Sequence, residues 1–196
     1  RPHSESLVQA MVEGITSSGA GCIDIGLCDT PMVYFAINHL GACGGIQVTA
    51  SHNPIQYNGF KISGAKARPV GANTGLKEIQ HIVSTLRRMP IGASLAPAQK
   101  VDLWSEYRSH VLKFLKTPRR LKVVVDASNG MGGKMFPAIF SGTDIEILPL
   151  NFEIGKGFVH EPNPLVEANL QMTKDAVRKH HADVGICTDG DADRCM

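Results

Sequence analysis

The sequence predicts an α/β protein whose two halves have similar layouts and largely parallel sheets. Short apolar, β-branched runs alternate with helical patterns along the chain, as they do in βαβ units. In each half a polar loop follows directly after a predicted strand, near residues 49–61 and 188–194. The chain has 196 residues, of which 43% are hydrophobic and 20 are glycine. This composition suits a compact α/β protein with many tight turns.

The first half is predicted to alternate helices with strands. Ser4 is a suitable N-cap, and Thr30-Pro31 supplies a cap followed by a proline at the first helical position. Helices are predicted from residue 4, after residue 30 and at 76–86, and strands at 22–27, 44–48 and 59–63. The strand–helix–strand order predicts a parallel sheet.

The second half repeats this layout after a linker. Pro90, Gly92 and Pro97 lie among small residues, so we place domains at 1–95 and 101–196 and the linker at 96–100. An aromatic stripe near residues 104–115 predicts a core-facing helix. The later predictions are strands at 121–127, 144–150 and 183–188, an extended connection at 151–166 and a helix at 167–180. The glycine-rich segment 129–133 is either a simple turn or a backbone cradle for phosphate.

Charge and cysteine content exclude several classes of protein. The net charge of +2 is too balanced to favour nucleic acid or an anionic membrane as partner. No apolar run reaches the roughly 18 residues that a membrane span needs. The 5 cysteines show no CxxC spacing, which predicts free thiols and a cytoplasmic protein.

Ser51 lies just beyond the predicted strand at 44–48. Ligands of open α/β sheets bind beyond the carboxyl ends of the strands. Pro54 biases Asn53 toward an extended conformation, which keeps the segment a loop. The Ser51 hydroxyl is therefore placed to be phosphorylated, although residues of these types also form ordinary turns.

Three carboxylates, those of Asp189, Asp191 and Asp193, follow the last predicted strand. Like charges this close repel one another unless a cation binds them or water solvates them fully. Oxygen ligands favour a hard ion, Mg²⁺ before Ca²⁺, so a metal site and a solvated acidic turn both stay open. An EF-hand is disfavoured, because its loop needs a glutamate about twelve positions along and flanking helices.

Together these motifs resemble the α-D-phosphohexomutases, the family that contains phosphomannomutase and phosphoglucomutase. The resemblance covers essentially the whole chain. It rests on Thr49-Ala50-Ser51-His52-Asn53-Pro54, Asn58-Gly59-Phe60-Lys61, Val123-Val124-Val125-Asp126-Ala127-Ser128-Asn129-Gly130 and Asp189-Gly190-Asp191-Ala192-Asp193-Arg194. It implies the first two domains of that fold, two similar three-layer α/β domains with mixed, mostly parallel sheets. Phe60 favours the phosphomannomutase/phosphoglucomutase branch, since the phosphoglucosamine branch usually has isoleucine there.

The resemblance implies an isomerase that interconverts hexose 1-phosphate and 6-phosphate, with mannose or glucose as the sugar. Ser51 would carry a phosphoryl group, give it to the sugar phosphate to make a bisphosphate, and take back the other phosphate. Mg²⁺ would be held by Ser51, Asp189, Asp191 and Asp193. Glucose or mannose 1,6-bisphosphate would act as the activator.

Further residues are implied for phosphate binding and proton transfer. Arg194 and Asn58 are predicted to bind phosphate, and Arg1 matches the end of an early phosphate-approaching motif. Lys61 matches the family's acid/base lysine, but its ordinary pKa of about 10.4 makes it a poor base unless the site lowers that value. Nearby acids and phosphate would raise it instead, so His52 is the alternative proton carrier.

We expect the chain to be an incomplete, inactive piece of a longer enzyme, because it begins at Arg1 and ends inside the acidic motif. The family's third and fourth domains, which recognise the phosphorylated hexose, would be missing. Two alternatives are a phosphoglucosamine mutase and a non-catalytic phosphosugar-binding module. The intact serine and aspartates argue against the second.

Overall fold

The computed structural model describes residues 1–86, 97–117 and 119–196. Its α-helices are α1 (Ser4–Ser17), α2 (Thr30–His39), α3 (Lys77–Thr85), α4 (Trp104–Leu112), α5 (Gly132–Phe140) and α6 (Gln171–His180). Its strands are β1 (Ile23–Asp24), β2 (Gly44–Val48), β3 (Phe60–Gly64), β4 (Arg68–Pro69), β5 (Gln99–Lys100), β6 (Leu121–Asp126), β7 (Ile145–Leu150) and β8 (Val184–Cys187). The predicted mixed α/β fold is confirmed.

The prediction of a parallel sheet in the first half is wrong. β2 and β3 pair antiparallel, with Val48 opposite Phe60, and β4 joins β3 in the same sense. The connection at 49–59 is too short to hold the crossover helix that a parallel pair needs, so the chain turns back as a hairpin. β1 pairs instead with β5, in parallel, with Ile23 opposite Gln99.

Several local predictions also need correction. The strand predicted at 22–27 has only two residues. The N-cap of α2 is Asp29 rather than Thr30, and Ser4 is the first residue of α1 rather than its cap. Helix α5 is missing from the predicted elements, because its opening glycines and Pro137 are typical of turns. The apolar residues that predict α3 lie exposed on its surface, as Ile82 and Val83 do.

The second half follows the prediction more closely. Its sheet has the order β7-β6-β8 and is parallel throughout. Phe136 of α5 packs with Val123 and Val125 of β6, while α6 contacts β6 and β8. This arrangement brings the carboxyl ends of β6 and β8 to one edge, where the acidic loop begins.

A single apolar cluster joins helices from both halves of the chain. Its buried members come from α2, α4, α5 and the residues just before α2 and α4: Cys28, Met32, Val33, Ala36, Ile37, Leu103, Tyr107 and Ile139. Because burial of apolar area stabilises contacts in proportion to that area, this cluster holds the two halves together. The predicted linker at 96–100 begins outside the described residues, and its last two residues form β5. The predicted domain boundaries stay a prediction.

The described helices are short, and α1, for example, has 14 residues. None of them combines the length and the apolar content that crossing a bilayer needs.

A buried hydrogen bond ties α4 to the N-cap of α2. The Tyr107 hydroxyl donates to Asp29 Oδ2 over 2.9 Å, and Asp29 is fully buried. Burial raises the pKa of Asp29 to about 6, although the bond from Tyr107 opposes that rise. Asp29 Oδ1 has no partner within the described part of the chain.

We predict that Tyr107→Phe lowers the free energy of unfolding by about 1–3 kcal/mol, because a buried carboxylate loses its hydroxyl donor. Urea unfolding measures the change, and Tyr57→Phe, at an exposed tyrosine, is the control. Equal stability of the two variants would show that the Asp29 bond contributes nothing.

A hydrogen bond between the partly buried His160 and the buried Asp126 fixes the connection that follows β7. His160 Nε2 lies 3.1 Å from Asp126 Oδ2, and Asp126 also accepts bonds from Asn151 Nδ2 and the Ser128 N–H. Burial alone would raise the pKa of Asp126, but these bonds outweigh it and lower the pKa. The bond to Asp126 raises the pKa of His160 against the opposing effect of burial.

We predict that His160→Asn destabilises the fold by about 1–3 kcal/mol in a pH-dependent way. The raised His160 pKa gives stability that is present below 6.5 and lost as pH rises through the folded value. The lowered Asp126 pKa gives stability that is present above 3.8 and lost as pH falls through the folded value. The loss should therefore be largest between about pH 4 and 6.5.

Urea unfolding at several pH values checks this, with the exposed His81→Asn as control. A loss that is the same at every pH would contradict it.

Candidate active site

The Ser51 side chain reaches across the molecule to the acidic loop. Its hydroxyl donates to Asp189 Oδ2 over 2.6 Å, and its N–H donates to Thr49 Oγ1 over 2.9 Å. Ser51 is buried and has a φ of +50°, a left-handed conformation that is uncommon outside glycine. His52 Nδ1 lies 3.4 Å from the Ser51 hydroxyl. A strained, buried serine at a strand end fits a functional site.

The three aspartates cluster in the turn after β8. One carboxylate oxygen from each of Asp189, Asp191 and Asp193 lies within 4.8 Å of the others. Asp189 and Asp191 are buried, and Asp193 lies at the exposed rim. Thr30 holds Asp191 from the start of α2, since its N–H donates to the Asp191 carbonyl and its hydroxyl to Asp191 Oδ2.

Two glycines allow the two loops to approach this closely. A Cβ on Gly190 would lie 2.5 Å from the Ser51 carbonyl oxygen, and a Cβ on Gly130 would lie 2.5 Å from the Gly190 carbonyl oxygen. Both distances are far below van der Waals contact with backbone atoms that cannot rotate away. The segment at 129–133 thus packs beneath the acidic loop.

Lys61 supplies the closest positive charge to the acids. Its Nζ lies 2.6 Å from Asp191 Oδ2 and 2.5 Å from Asp193 Oδ2. Partial burial would lower the pKa of Lys61, but the two carboxylates outweigh this and raise it. Arg194 Nε is farther away, 3.9 Å from both Asp189 Oδ2 and Asp193 Oδ1.

The two buried acids differ in their tendency to ionise. Burial, reinforced by repulsion from Asp191 and Asp193, raises the pKa of Asp189 to about 6, even though the Ser51 bond opposes it. Burial acts in the same direction on Asp191, but the bonds from Lys61 and Thr30 outweigh it and lower the pKa.

The donor set of this cluster fits a hard divalent cation. All the groups are oxygens, which suits Mg²⁺. Asp191 is only 2% exposed, and its Oδ1 has no hydrogen-bond partner among the described residues. A buried carboxylate oxygen without a partner is costly, and a bound cation would satisfy it.

The two remaining predicted phosphate ligands contact protein atoms. Asn58 Nδ2 donates to Ser4 Oγ over 3.0 Å, and Asn58 Oδ1 accepts from the Gly59 N–H. The Arg1 guanidinium donates to four backbone carbonyls of the Ser51 loop. Their roles in phosphate binding stay predictions.

Sequence reasoning missed the part that Thr30 plays, because Thr30-Pro31 reads as an ordinary helix start. The available signal was its place in the connection between a predicted strand and the next helix, since such connections often carry functional residues.

A cavity of about 270 Å³ adjoins this site. Both halves of the chain line it, including Leu27, Val48, Met131, Phe158 and Asp191. The Ser51 and acidic loops therefore border an open space between the halves rather than a closed core.

The fold and the serine–aspartate cluster define a class: α/β proteins in which a loop hydroxyl lies beside a cluster of three carboxylates. Comparison with known families gives the same result. Residues 1–88 match the profile of phosphoglucomutase/phosphomannomutase, alpha/beta/alpha domain I, and residues 105–196 match that of domain II. The chain belongs to the phosphoglucomutase/phosphomannomutase family, so the family resemblance and the two α/β/α domains are confirmed.

Individual relatives agree with the family assignment. The chain is 37% identical over 203 residues to a phosphomannomutase of Escherichia coli and 39% identical over 196 residues to phosphohexose mutases of Xanthomonas campestris. In both cases the match covers 98% of this chain and 44% of the relative. The chain therefore spans less than half the length of these relatives.

Solved structures show the same fold. A phosphoglucomutase/phosphomannomutase family protein of Burkholderia thailandensis gives a TM-score of 0.82 at 30% identity, covering 96% of this chain and 42% of that one. A structure from Thermus thermophilus gives a TM-score of 0.86 at 26% identity, covering 100% of this chain and 45% of that one.

We predict that Gly190→Ala separates the Ser51 and acidic loops, because the added methyl group would collide with the Ser51 carbonyl. The expected loss of unfolding free energy is about 1–3 kcal/mol, typical of overpacking. Gly14→Ala, in α1 with open space around the new methyl group, is the control and should be neutral or slightly stabilising. Thermal unfolding of both variants checks this, and a Gly190→Ala variant as stable as the control would contradict it.

Proposed function

We propose that the complete protein is a phosphohexomutase that interconverts hexose 1-phosphate and 6-phosphate through a phosphoserine at Ser51. The observation that carries the proposal is the 2.6 Å contact between the Ser51 hydroxyl and Asp189 in a chain of this family. Phosphoryl transfer depends mainly on positioning and on neutralising charge, and this site provides a positioned hydroxyl beside a cation-binding cluster. In the proposed cycle Ser51 gives its phosphoryl group to the sugar phosphate and receives the other one back from the bisphosphate.

The aspartates would act as the metal ligands. Asp189, Asp191 and Asp193, together with Ser51, would hold Mg²⁺, which would supply neutralisation of the phosphate charge. Arg194 would add a second positive charge beside the phosphoryl group, and its planar fork suits two phosphate oxygens. Asn58 would shape the loop on which Ser51 lies, in addition to its predicted contact with phosphate.

Proton transfer falls to Lys61 or His52. Lys61 is held by two carboxylates that raise its pKa, so it can serve as a base only once it has left them. His52 already lies 3.4 Å from the Ser51 hydroxyl. We propose Lys61 as the acid/base for the sugar hydroxyl and His52 as a group that orients the phosphate.

The substrate is proposed from the family and from the relatives. Phosphomannomutase and phosphohexose mutase relatives, together with Phe60, favour mannose or glucose phosphate over phosphoglucosamine. Glucose or mannose 1,6-bisphosphate would restore the phosphoserine. We expect the 196-residue chain alone to turn over little substrate, because positioning of the sugar accounts for much of the rate and would need further domains. All five cysteines are free thiols, which supports a cytoplasmic location.

We predict that the complete protein, incubated with glucose 1,6-bisphosphate, gains one phosphoryl group at Ser51. Intact-mass measurement detects the gain, and Ser51→Ala should abolish it together with mutase activity in a coupled assay. Ser63→Ala, at a buried serine on β3, is the control and should keep the modification. Phosphate uptake at another residue, or none in the wild type, would contradict the proposal.

We also predict that Lys61→Met raises the affinity of the complete protein for Mn²⁺, used as a probe for Mg²⁺. The ammonium lies against the Asp191 and Asp193 carboxylates that would hold the ion and repels a second cation, so its removal should tighten binding on the order of tenfold. Electron paramagnetic resonance counts the free Mn²⁺, and the exposed Lys77→Met is the control. Unchanged or weaker binding in Lys61→Met would show that the lysine and the ion do not compete.

A further inference from the structure

The Arg1 side chain makes a dense set of contacts to the loop that carries Ser51. One terminal nitrogen donates to the carbonyls of Pro54 and Tyr57, over 2.7 and 2.9 Å. The other donates to the carbonyls of Ser51 and Asn53, each over 2.8 Å. We call these four bonds the Arg1 clamp.

The Arg1 clamp adds hydrogen bonds to a loop that has few backbone hydrogen bonds of its own. Residues 50–57 form two backbone hydrogen bonds among themselves, from the Asn53 N–H to Ala50 and from the Tyr57 N–H to Pro54. The four clamped carbonyls converge on one point, and a planar guanidinium presents its donors in a matching rigid fork. A lysine would bring the same charge but only three donors on a flexible stem.

The clamp also fixes the residue that performs the proposed chemistry. The Ser51 carbonyl is the atom next to which Gly190 must pack, and Ser51 is held at a φ of +50°. Such a conformation persists only where surrounding contacts impose it. One of the four bonds ends on Ser51 itself, so loss of the clamp would release the left-handed turn.

Arg1 is held from its other side by the second half of the chain. The guanidinium carbon lies 5.5 Å from the centroid of the Phe158 ring, which is within cation–π range. Phe158 lies on the connection between β7 and α6 and lines the cavity beside the site. The clamp therefore links this connection to the Ser51 loop.

We propose that Arg1 is a positioning residue that sets the Ser51 loop for phosphoryl transfer through its carbonyls, rather than by contacting phosphate. The catalytic consequence rests on the proposed function, whereas the effect on the loop does not. With both terminal nitrogens occupied by carbonyls, the guanidinium has no terminal fork left to offer a phosphate in this arrangement.

The test compares Arg1→Lys with the wild type in the complete protein, numbered as in this sequence. Hydrogen–deuterium exchange without ligand should show the amides of residues 51–57 exchanging about tenfold faster in the variant. In the coupled mutase assay kcat should fall about 100-fold with little change in KM, as expected for misplacement rather than lost binding. Arg68→Lys, at an exposed arginine on β4, should change neither quantity.

Other outcomes would overturn the proposal. If Arg1→Lys exchanges its loop amides at the wild-type rate but has a raised KM, Arg1 would be assigned to phosphate binding. If the variant shows both the wild-type exchange rate and the wild-type kcat, Arg1 would have no role in the site. If Arg1→Lys does not fold, Phe158→Leu serves as the second variant. It should speed exchange at 51–57 although residue 158 lies outside the loop, and unchanged exchange there would refute the clamp.

The proposed function and the clamp can fail separately. Suppose that Ser51 takes up no phosphate in the wild type, while Arg1→Lys still speeds amide exchange at residues 51–57. That result would support the Arg1 clamp and contradict the proposed mutase function.

Discussion

The site depends on the contact between two loops that are 138 positions apart in the chain, joined by the hydrogen bond from Ser51 to Asp189. Each loop follows the carboxyl end of a strand, β2 in the first half and β8 in the second. Gly190 lets the backbones meet, and Thr30 ties the acidic loop to the start of α2 by two further bonds. The apolar cluster of α2, α4 and α5 keeps both halves in this relation. The packing of these three helices thus helps to hold the Ser51 loop and the acidic loop in contact.

The contact places a concentration of negative charge in a largely buried position. Lys61 brings a single positive charge to two of the three carboxylates, and burial raises the pKa of Asp189 to about 6. Asp191 still has a buried oxygen without a partner among the described residues. Lys61 therefore leaves part of the hydrogen-bonding capacity of the carboxylates unsatisfied, which supports our proposal that the site also binds a divalent cation and a phosphoryl group.

The sequence alone predicts those parts of the site that depend on neighbouring residues in the chain. Ser51 follows β2 and the three aspartates follow β8, and ligands of α/β folds bind beyond such strand ends. The parallel sheet of the second half could be predicted only in part, because the sequence pattern marks α6, between β7 and β8, but not α5, between β6 and β7. The rest could not be predicted because it depends on contacts between distant segments. The antiparallel pairing of β2 with β3 is set by the short loop between them, and α5 is concealed by its glycines and Pro137.

The four carbonyls that Arg1 binds are backbone groups, which every residue carries, so no residue pattern marks them. The apolar residues of α3 have helical spacing, and the helix forms as predicted. The spacing does not show whether another element packs against these residues, and in the structure they are exposed.

We propose that the Ser51 oxygen and the three carboxylates bind one shared cation. Phosphorus NMR of the complete protein, phosphorylated on Ser51 and titrated with Mn²⁺, tests it most directly. We expect the phosphoserine resonance to broaden beyond detection at substoichiometric Mn²⁺ and to stay sharp in Asp191→Asn. A resonance that stays sharp in the wild type while Mn²⁺ binds would contradict the claim.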